Sequence, residues 1–276
     1  MGAPVYRGLD RAALDAAYNN RNAVAAYPAI AAERQARSER VRRARRHHAD
    51  LRYGAGARER LDLFPAERPG APLLAFIHGG YWQTNDKEAS SFLVEGPLAL
   101  GYAVALIEYT HAPAADIVGI VAEVGRAVDW LAAHAADYGA DPARLYVSGH
   151  SAGGHLTAMM LGKPAVAGAL AISGLYDLEP IRLCYLNEKL RLTGASAERN
   201  SPLRHSPAKR APVVVAAGAA ELPELVRQSV DYADALGVAP LLLGGHDHFS
   251  VLEELARPDG ALCRALAGLA AERRAS

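Results

Sequence analysis

The segment Gly149-His150-Ser151-Ala152-Gly153 is best suited to chemistry, because it places a serine between two glycines in a G-x-S-x-G pattern. A β-prone run precedes it and an Ala/Leu/Met helical pattern follows, which is the strand, turn and helix of a nucleophile elbow. The glycines permit a turn in which a Cβ would collide with the neighbouring strand and helix. We expect Ser151 at the tip of this turn. His150 and His155 are interpreted as packing residues, since neither can reach round to act as the base of its own turn.

Ser151 requires a base, because a serine hydroxyl is a weak nucleophile until its proton is taken. In α/β hydrolases the chain order is serine, acid, histidine. The loop after the last apolar run contains Gly244-Gly245-His246-Asp247-His248-Phe249, and His248 is the predicted base, with His246 as the second choice. The His-x-His spacing could also bind a metal, but no third ligand is evident, so no metal site is predicted.

An acid that orients the histidine is expected just past the apolar run Val213–Val215. Glu221 is the preferred candidate there. Asp177, after the preceding strand, and Glu224 stay open as alternative acids. Without a catalytic role, Asp177 would be a helix N-cap and Glu224 a carboxylate in the first turn of a helix.

A second glycine pair lies in the motif His78-Gly79-Gly80-Tyr81-Trp82, directly after an apolar run. Paired glycines can turn their backbone N–H groups inward without obstruction by side chains. With the N–H of Ala152, those of Gly79 and Gly80 are predicted to form an oxyanion hole. Tyr81 and Trp82 are predicted to wall the substrate pocket, although an aromatic pair packs in a core by default.

Short apolar runs alternate with helical patterns along the rest of the chain, which predicts an α/β fold with a mostly parallel sheet and helices on both faces. The predicted strands are Arg60–Phe64 (an edge strand), Leu73–Ile77, Val104–Tyr109, a strand from Leu145, Val166–Ile172, Pro212–Val215 and Pro240–Leu243. The predicted helices are Ile117–His134, Glu224–Leu236 and Pro258–Arg274.

Two segments lie outside this alternation. Residues 1–50 are predicted to be a helical extension that breaks into two helices at Pro28. The arginines of this extension are predicted to form a solvated helix face. Residues 181–207 lose strand periodicity and are predicted to be a cap-like insertion over the carboxyl ends of the strands, where ligands bind in such sheets. Together, residues 1–276 are expected to form one α/β-hydrolase domain.

Composition excludes several classes of function. Lys plus Arg and Asp plus Glu balance at 30 each, which argues against nucleic acid or an anionic membrane as the main partner and favours a small-molecule substrate. The two cysteines, Cys184 and Cys263, fit a reducing cytoplasm, and no run approaches the length of a membrane span. No cofactor is expected, and the sequence is compatible with a homodimer.

The motifs HGGYWQ at 78–83, GHSAGGHL at 149–156, SGLYDLEP at 173–180 and RQS at 227–229 together resemble the kynurenine formamidase (arylformamidase) branch of the α/β hydrolases. The likeness runs from about residue 53 to 255. It implies an α/β-hydrolase fold and metal-independent hydrolysis of N-formyl-L-kynurenine to formate and L-kynurenine. One departure is Glu221, since such enzymes more often have Asp at the acid position.

Two other functions stay open from the sequence. A carboxylesterase acting on small or aryl acyl esters would use the same mechanism with a different leaving group. A non-catalytic binder on a hydrolase fold is disfavoured, because Ser151, His248 and a candidate acid are all present.

Overall fold

The computed structural model describes residues 2–205, 207 and 210–275. Its strands are β1 (His48–Arg52), β2 (Arg60–Phe64), β3 (Ala71–Ile77), β4 (Ala103–Ile107), β5 (Ala140–His150), β6 (Val166–Ile172), β7 (Val213–Gly218) and β8 (Leu241–Leu243). The described residues form one eight-stranded sheet in the order β1-β2-β4-β3-β5-β6-β7-β8. β2 is antiparallel to both of its neighbours and the remaining pairs are parallel. The predicted α/β fold with a mostly parallel sheet is confirmed.

Helices cover both faces of the sheet. They are α1 (Arg11–Ala17), α2 (Asn20–Ala23), α3 (Tyr27–Ala44), α4 (Glu95–Ala99), α5 (Ile117–His134), α6 (Ala152–Met159), α7 (Glu179–Leu183), α8 (Asn187–Leu190), α9 (Gly194–Arg199), α10 (Pro223–Leu236), α11 (Glu253–Ala256) and α12 (Ala261–Ala275). Short 3₁₀ helices lie at Glu88–Val94, Ala135–Tyr138, Pro202–Arg204 and Ser250–Leu252. Among the described residues, no helix combines the length and apolar composition needed to cross a membrane.

The central strand β3 shows how the two faces are filled. Leu73 and Ile77 belong to the same buried cluster as residues of α5, whereas Leu74 and Phe76 belong to a second cluster with α12. Alternate side chains of a strand point to opposite faces, so a strand covered on both sides is apolar throughout. The continuous apolar run at 73–77 therefore reflects a sheet buried between two helical layers.

The prediction that β2 is an edge strand is wrong. β1 pairs outside it, through an irregular register between His48 and Leu51. The polar residue in the alternating pattern of β2 is Asp62, and it is fully buried. Its carboxylate accepts from the Asp50 N–H at 2.8 Å and pairs with Lys87 at 3.0 Å. A polar residue in an alternating strand thus marks a buried ion pair here and not a solvated face.

The N-terminal extension differs from its prediction in two respects. Its main break lies at residues 24–26, before Pro28. Pro28 lies in the first turn of α3, where backbone N–H groups have no partner within the helix, so its missing N–H costs no hydrogen bond. Its arginines are not all solvated, because Arg37 pairs with Glu253 at 2.6 Å and Arg42 contacts Asp62. The extension also ends in β1 and so joins the sheet. We call residues 9–44, which contain α1 to α3, the arm.

The insertion at residues 181–207 is helical and includes α8 and α9; Ser206 lies outside the described residues. Its start is tied to the arm, because the Tyr185 N–H donates to the Asp15 carboxylate at 2.7 Å. The insertion and the arm therefore meet over the sheet.

Candidate active site

Ser151 lies at the turn between β5 and α6, with φ of 58° and ψ of −117°. Such a conformation costs a non-glycine residue on the order of 1–3 kcal/mol and persists only where its surroundings enforce it. A Cβ on Gly149 would lie 2.3 Å from the Gly153 carbonyl oxygen, and one on Gly153 would lie 2.0 Å from the Ile77 carbonyl oxygen. Both positions therefore require glycine, and the turn presents Ser151 to a cavity beside the first turn of α6.

His248 and Glu221 are hydrogen-bonded to each other. The Nδ1–H of His248 donates to Glu221 Oε2 at 2.6 Å, and both residues are buried. The other carboxylate oxygen, Oε1, accepts from the Gly218 N–H at 2.7 Å and from the Ser173 hydroxyl. Because a carboxylate only accepts, Nδ1 carries the proton and Nε2 is left as the basic nitrogen. His248 and Ser151 line the same cavity.

The two alternative acids are engaged elsewhere. Asp177 pairs with Arg204 at 3.3 Å. Glu224 pairs with Arg227 at 2.8 Å, and this bond helps to keep its pKa below the usual value although burial raises it. Among the described contacts neither carboxylate reaches His248, whereas Glu221 does.

His246 occupies a different position from His248. Its Nδ1 lies 3.2 Å from the Ser250 carbonyl oxygen and its Nε2 lies 3.6 Å from Glu254. It therefore ties the loop after β8 to the helical segment that follows. The two imidazoles have separate partners and do not converge on one point.

His150 does more than pack. Its ring lies 4.5 Å from that of His248, centroid to centroid, and its Nε2–H donates to the His248 carbonyl oxygen at 2.7 Å. Burial, followed by the proximity of His248 and Arg34, keeps the pKa of His150 well below its ordinary value, so the ring is neutral. His150 thus holds the backbone of His248. His155 is a packing residue, buried against Trp82 and donating to the Asn200 carbonyl oxygen at 2.8 Å.

Gly79 and Gly80 line the cavity beside Ser151. A Cβ on Gly79 would lie 2.8 Å from the His150 carbonyl oxygen and 3.0 Å from Ser151 Cβ. Gly80 has φ of 114°, and a Cβ there would lie 2.3 Å from the Thr84 carbonyl oxygen. Ala152 is the first residue of α6. Gly79 and Ala152 thus lie next to Ser151, and Gly80 lines the same cavity.

His78 and Glu108 brace this glycine turn. His78 Nε2 lies 2.9 Å from Glu108 Oε1, and its Nδ1 lies 2.8 Å from the Gly79 carbonyl oxygen. Burial raises the pKa of Glu108, but hydrogen bonds and charges from His78, the Tyr109 N–H and Arg58 outweigh it and lower the pKa to about 2. The start of the turn is therefore anchored to a buried carboxylate.

Tyr81 and Trp82 have separate roles, because their side chains diverge. Tyr81 lines the cavity; its hydroxyl donates to the Tyr18 carbonyl oxygen at 2.7 Å and accepts from Asn20 Nδ2 at 3.0 Å. Trp82 is fully buried, packs edge-on against His155 and is absent from the residues that line the cavity. The prediction that Trp82 walls the pocket is therefore wrong in this structure, since its bulk fills the core below the turn.

The cavity has a volume of about 380 Å³, which lies within the range that suits small ligands. The sheet side supplies Ser151, His248 and the glycine turn. A further part of the lining comes from the arm, through Asn19, Asn20, Arg21, Tyr27, Ile30, Ala31, Arg34 and Gln35. Of its described residues, the insertion contributes Tyr185, Leu186 and Lys189. The predicted cap-like insertion thus lines the site, together with the arm.

The arm residues were missed by the sequence reasoning. A weak signal existed in Asn19-Asn20-Arg21-Asn22, a polar run between two helical patterns. Nothing in that run indicates where it lies in the fold. Its position depends on a contact that is distant in the sequence: the Tyr18 hydroxyl donates to the Glu224 carboxylate at 3.0 Å, and the two residues are 206 positions apart. Ser173, which holds Glu221, was noticed only as part of a motif.

Two groups of side chains in the described residues have the composition of a metal site: His78, Glu108 and His111, and Asp50, Asp62 and Glu88. Arg58 lies 2.9 Å from Glu108, and Lys87 Nζ lies 3.1 Å from Asp50 and 3.0 Å from Asp62. Protein cations therefore already neutralise both groups.

Comparison with known proteins gives consistent results. The BD-FAE family model matches residues 61–167. The kynurenine formamidase of Danio rerio is 34% identical over 238 residues, covering 79% of this chain and 80% of its own length. That of Drosophila melanogaster is 32% identical over 249 residues, covering 80% and 81%.

A solved structure from Silicibacter sp., provisionally described as a thioesterase, superimposes with a TM-score of 0.84 at 31% identity. The match covers 92% of this chain and 98% of that one. The predicted α/β-hydrolase fold is confirmed by this likeness.

Proposed function

Because the chain belongs to the kynurenine formamidase family, we propose that it hydrolyses N-formyl-L-kynurenine to L-kynurenine and formate through Ser151, His248 and Glu221. Membership of this family makes it a hydrolase of the formamide or ester type. The observation that carries the proposed mechanism is the 2.6 Å hydrogen bond from His248 Nδ1 to Glu221, on the wall of the cavity that Ser151 also lines. Formamide as the preferred substrate is supported by the relatives' activity.

In the first half-reaction, His248 Nε2 takes the proton of the Ser151 hydroxyl as its oxygen attacks the formyl carbon. The negative charge that develops on the carbonyl oxygen is stabilised by N–H groups of Gly79, Gly80 and Ala152. The C–N bond then breaks, and His248 transfers its proton to the departing aromatic amine. The products of this step are the arylamine and a formyl ester of Ser151.

In the second half-reaction, water attacks the formyl ester with His248 again as base, and formate leaves as Ser151 regains its proton. Glu221 stays ionised throughout and stabilises the imidazolium that forms twice in the cycle. Three donors converge on Glu221, from His248, Gly218 and Ser173, which supports its role as the fixed end of this chain of hydrogen bonds.

A substrate series separates the formamidase from a carboxylesterase. We expect kcat/KM for N-formylkynurenine to exceed that for p-nitrophenyl acetate, and activity to fall steeply along aryl amides and esters from formyl to butyryl. The close approach of Gly79 to Ser151 supports a small acyl site. One methylene is worth only ~1–3 kcal/mol in an apolar pocket, so the fall is measured over the whole series. Rising rates from acetate to butyrate, with no formamide cleavage, would establish a carboxylesterase instead.

A further inference from the structure

The lining of the cavity beside Ser151 is positively charged. Its cationic side chains are Arg21, Arg34 and Lys189, and no Asp or Glu is found among the described residues that line the cavity. In a chain with equal numbers of acidic and basic residues, this is a local segregation of charge. A cavity of one sign favours ligands of the opposite sign.

Arg34 is already neutralised by the protein. Its guanidinium donates to the Phe249 carbonyl oxygen, lies 3.3 Å from Glu253 and stacks over Phe92, 4.9 Å from the ring centroid. These contacts join the arm to the segment that follows His248. Arg34 is therefore a structural cation, and the charge available to a ligand lies elsewhere.

Arg21 and Lys189 are exposed and form no ion pair with any described residue. Arg21 stacks over the Tyr27 ring at 5.3 Å and lies 3.4 Å from the Thr84 hydroxyl. Lys189 comes from α8, so the two cations reach the cavity from the arm and from the insertion. Their charges remain free to meet a carboxylate.

Asn20 adds an uncharged acceptor to the same wall. It is 4% exposed, and its Nδ2 donates to the Tyr81 hydroxyl. The orientation of its amide is set, because the Tyr81 hydroxyl gives its own proton to the Tyr18 carbonyl oxygen. Asn20 Oδ1 is thus a buried acceptor without a partner among the described residues. Such an acceptor is costly unless a ligand donates to it.

We propose that Asn20, Arg21 and Lys189 form a leaving-group subsite for aromatic amines that carry a carboxylate. Arg21 and Lys189 bind the carboxylate, and Asn20 Oδ1 accepts an N–H of the amine half. The inference rests on the proposed function, since it specifies the amine half of the formamide. It also makes a distinction that the function alone does not. Because none of the described residues that line the cavity is Asp or Glu, the carboxylate of the substrate is recognised far more strongly than its ammonium.

Two analogues of N-formylkynurenine test this distinction, one without the α-carboxylate and one without the α-amino group. We expect loss of the carboxylate to raise KM by about 10-fold, which corresponds to the ~1.4 kcal/mol of one partly exposed charge contact. Loss of the amino group should change KM by less than about twofold. Equal KM values for all three substrates, or a larger loss for the deaminated analogue, would overturn the proposal.

The variants Arg21→Gln and Lys189→Gln assign the effect to the two cations. Each should raise KM about 3- to 5-fold for the two carboxylate-bearing substrates, leave kcat nearly unchanged and leave the decarboxylated analogue unaffected. Arg40→Gln is the matched control, because Arg40 is an exposed arm residue that does not line the cavity. A carboxylate preference that survives the double variant, or a loss equal for all substrates, would contradict the assignment.

An ester reporter separates failure of this subsite from failure of the proposed function. If no formamide is cleaved, the formamidase function is wrong, and hydrolysis of p-nitrophenyl acetate becomes the readout. Kynurenine should then inhibit competitively about 10-fold more tightly than its decarboxylated analogue, and the double variant Arg21→Gln with Lys189→Gln should remove the difference. Equal inhibition constants would reject the subsite on either reading of the chemistry.

Discussion

The two walls of the cavity are built by different means. The sheet side consists of strand ends whose backbone is held in unusual conformations, with Ser151 at φ of 58° and Gly80 at φ of 114°. The arm side consists of helices attached through side chains: the Tyr18 hydroxyl donates to Glu224 at 3.0 Å and accepts from Gln228 at 2.8 Å. Contacts enforced by backbone leave little freedom, whereas single side-chain hydrogen bonds are worth only about 1 kcal/mol each.

This difference indicates a division of labour. Groups that take part in bond making must be held to within a fraction of an ångström, which the sheet side provides. A wall that reads the leaving group can tolerate adjustment. Changes to the reacting groups of the sheet side should therefore lower kcat, whereas changes to the residues that brace them should act mainly on stability. Changes on the arm should act mainly on KM or on stability. The predictions below are ordered by the size of the effect expected from this division.

The largest effect is expected from Ser151→Ala, which should reduce turnover on the order of 10⁴-fold or more, because the nucleophile and its base act as one unit. His248→Ala should cost about as much, and the double variant little more than either alone. Steady-state kinetics with N-formylkynurenine provide the measurement. A double variant whose loss equals the product of the single losses would contradict the shared unit. His246→Ala is the matched control and should be mild, since His246 contacts Ser250 and Glu254 instead.

The sheet side could be predicted from sequence because its signals are local. A G-x-S-x-G turn is readable within five residues, because both glycines and the serine lie in one short segment. Gly149 is required by the Gly153 carbonyl oxygen of the same motif, although Gly153 is required by the Ile77 carbonyl oxygen of β3. His248 and Glu221 followed from chain order along the sheet. The arm could not be predicted in this way. The position of Tyr18 depends on α10, and Trp82 was placed in the pocket because sequence cannot tell a cavity wall from the core beneath it.

Glu221→Gln should lower kcat by about 10²- to 10⁴-fold with the fold intact, because a neutral amide cannot stabilise the imidazolium or enforce the Nδ1–H tautomer. Circular dichroism and a kcat measurement on the same preparation test this. Asp177→Asn and Glu224→Gln serve as controls, and each should retain kcat within several-fold because both carboxylates pair with arginines away from His248. A variant of Glu221 that keeps wild-type kcat, with an inactive Asp177→Asn, would move the acid to Asp177.

Glu108→Gln should mainly reduce stability, because the brace under the glycine turn loses its charge. A carboxyl group whose pKa falls from 4.5 to about 2 on folding stabilises the protein by roughly 3 kcal/mol at neutral pH. That contribution is fully present above about pH 4.5 and is lost as the pH falls toward 2.

Urea unfolding of wild type and Glu108→Gln from pH 7 to pH 3 measures this contribution. The difference in unfolding free energy should be largest at pH 7 and shrink with acidity. Glu67→Gln is the control, because Glu67 is exposed and forms no described ion pair. A difference that is constant over this pH range would show that the lost interaction does not depend on the charge of Glu108.

The smallest effect is expected from Tyr18→Phe, which removes the hydroxyl that links the arm to Glu224 and Gln228 while keeping the buried ring. We expect a loss of about 1–3 kcal/mol in unfolding free energy, since a buried acceptor and donor lose their shared partner. KM for N-formylkynurenine should rise several-fold, because the arm is held less firmly. The value of kcat should change by less than twofold, because the backbone carbonyl of Tyr18 still accepts from Tyr81.

Tyr232→Phe is the matched control for Tyr18→Phe. Its ring is equally buried and lies on the same helix, α10, to which Tyr18 binds, but its hydroxyl has no hydrogen-bond partner among the described residues. Deleting a buried hydroxyl without a partner should leave stability unchanged or raise it slightly, with KM and kcat as in wild type. If Tyr18→Phe instead lowered kcat by 100-fold or more at unchanged KM, the arm would belong to the same rigid unit as the triad, and the division between a catalytic wall and a recognition wall would not hold.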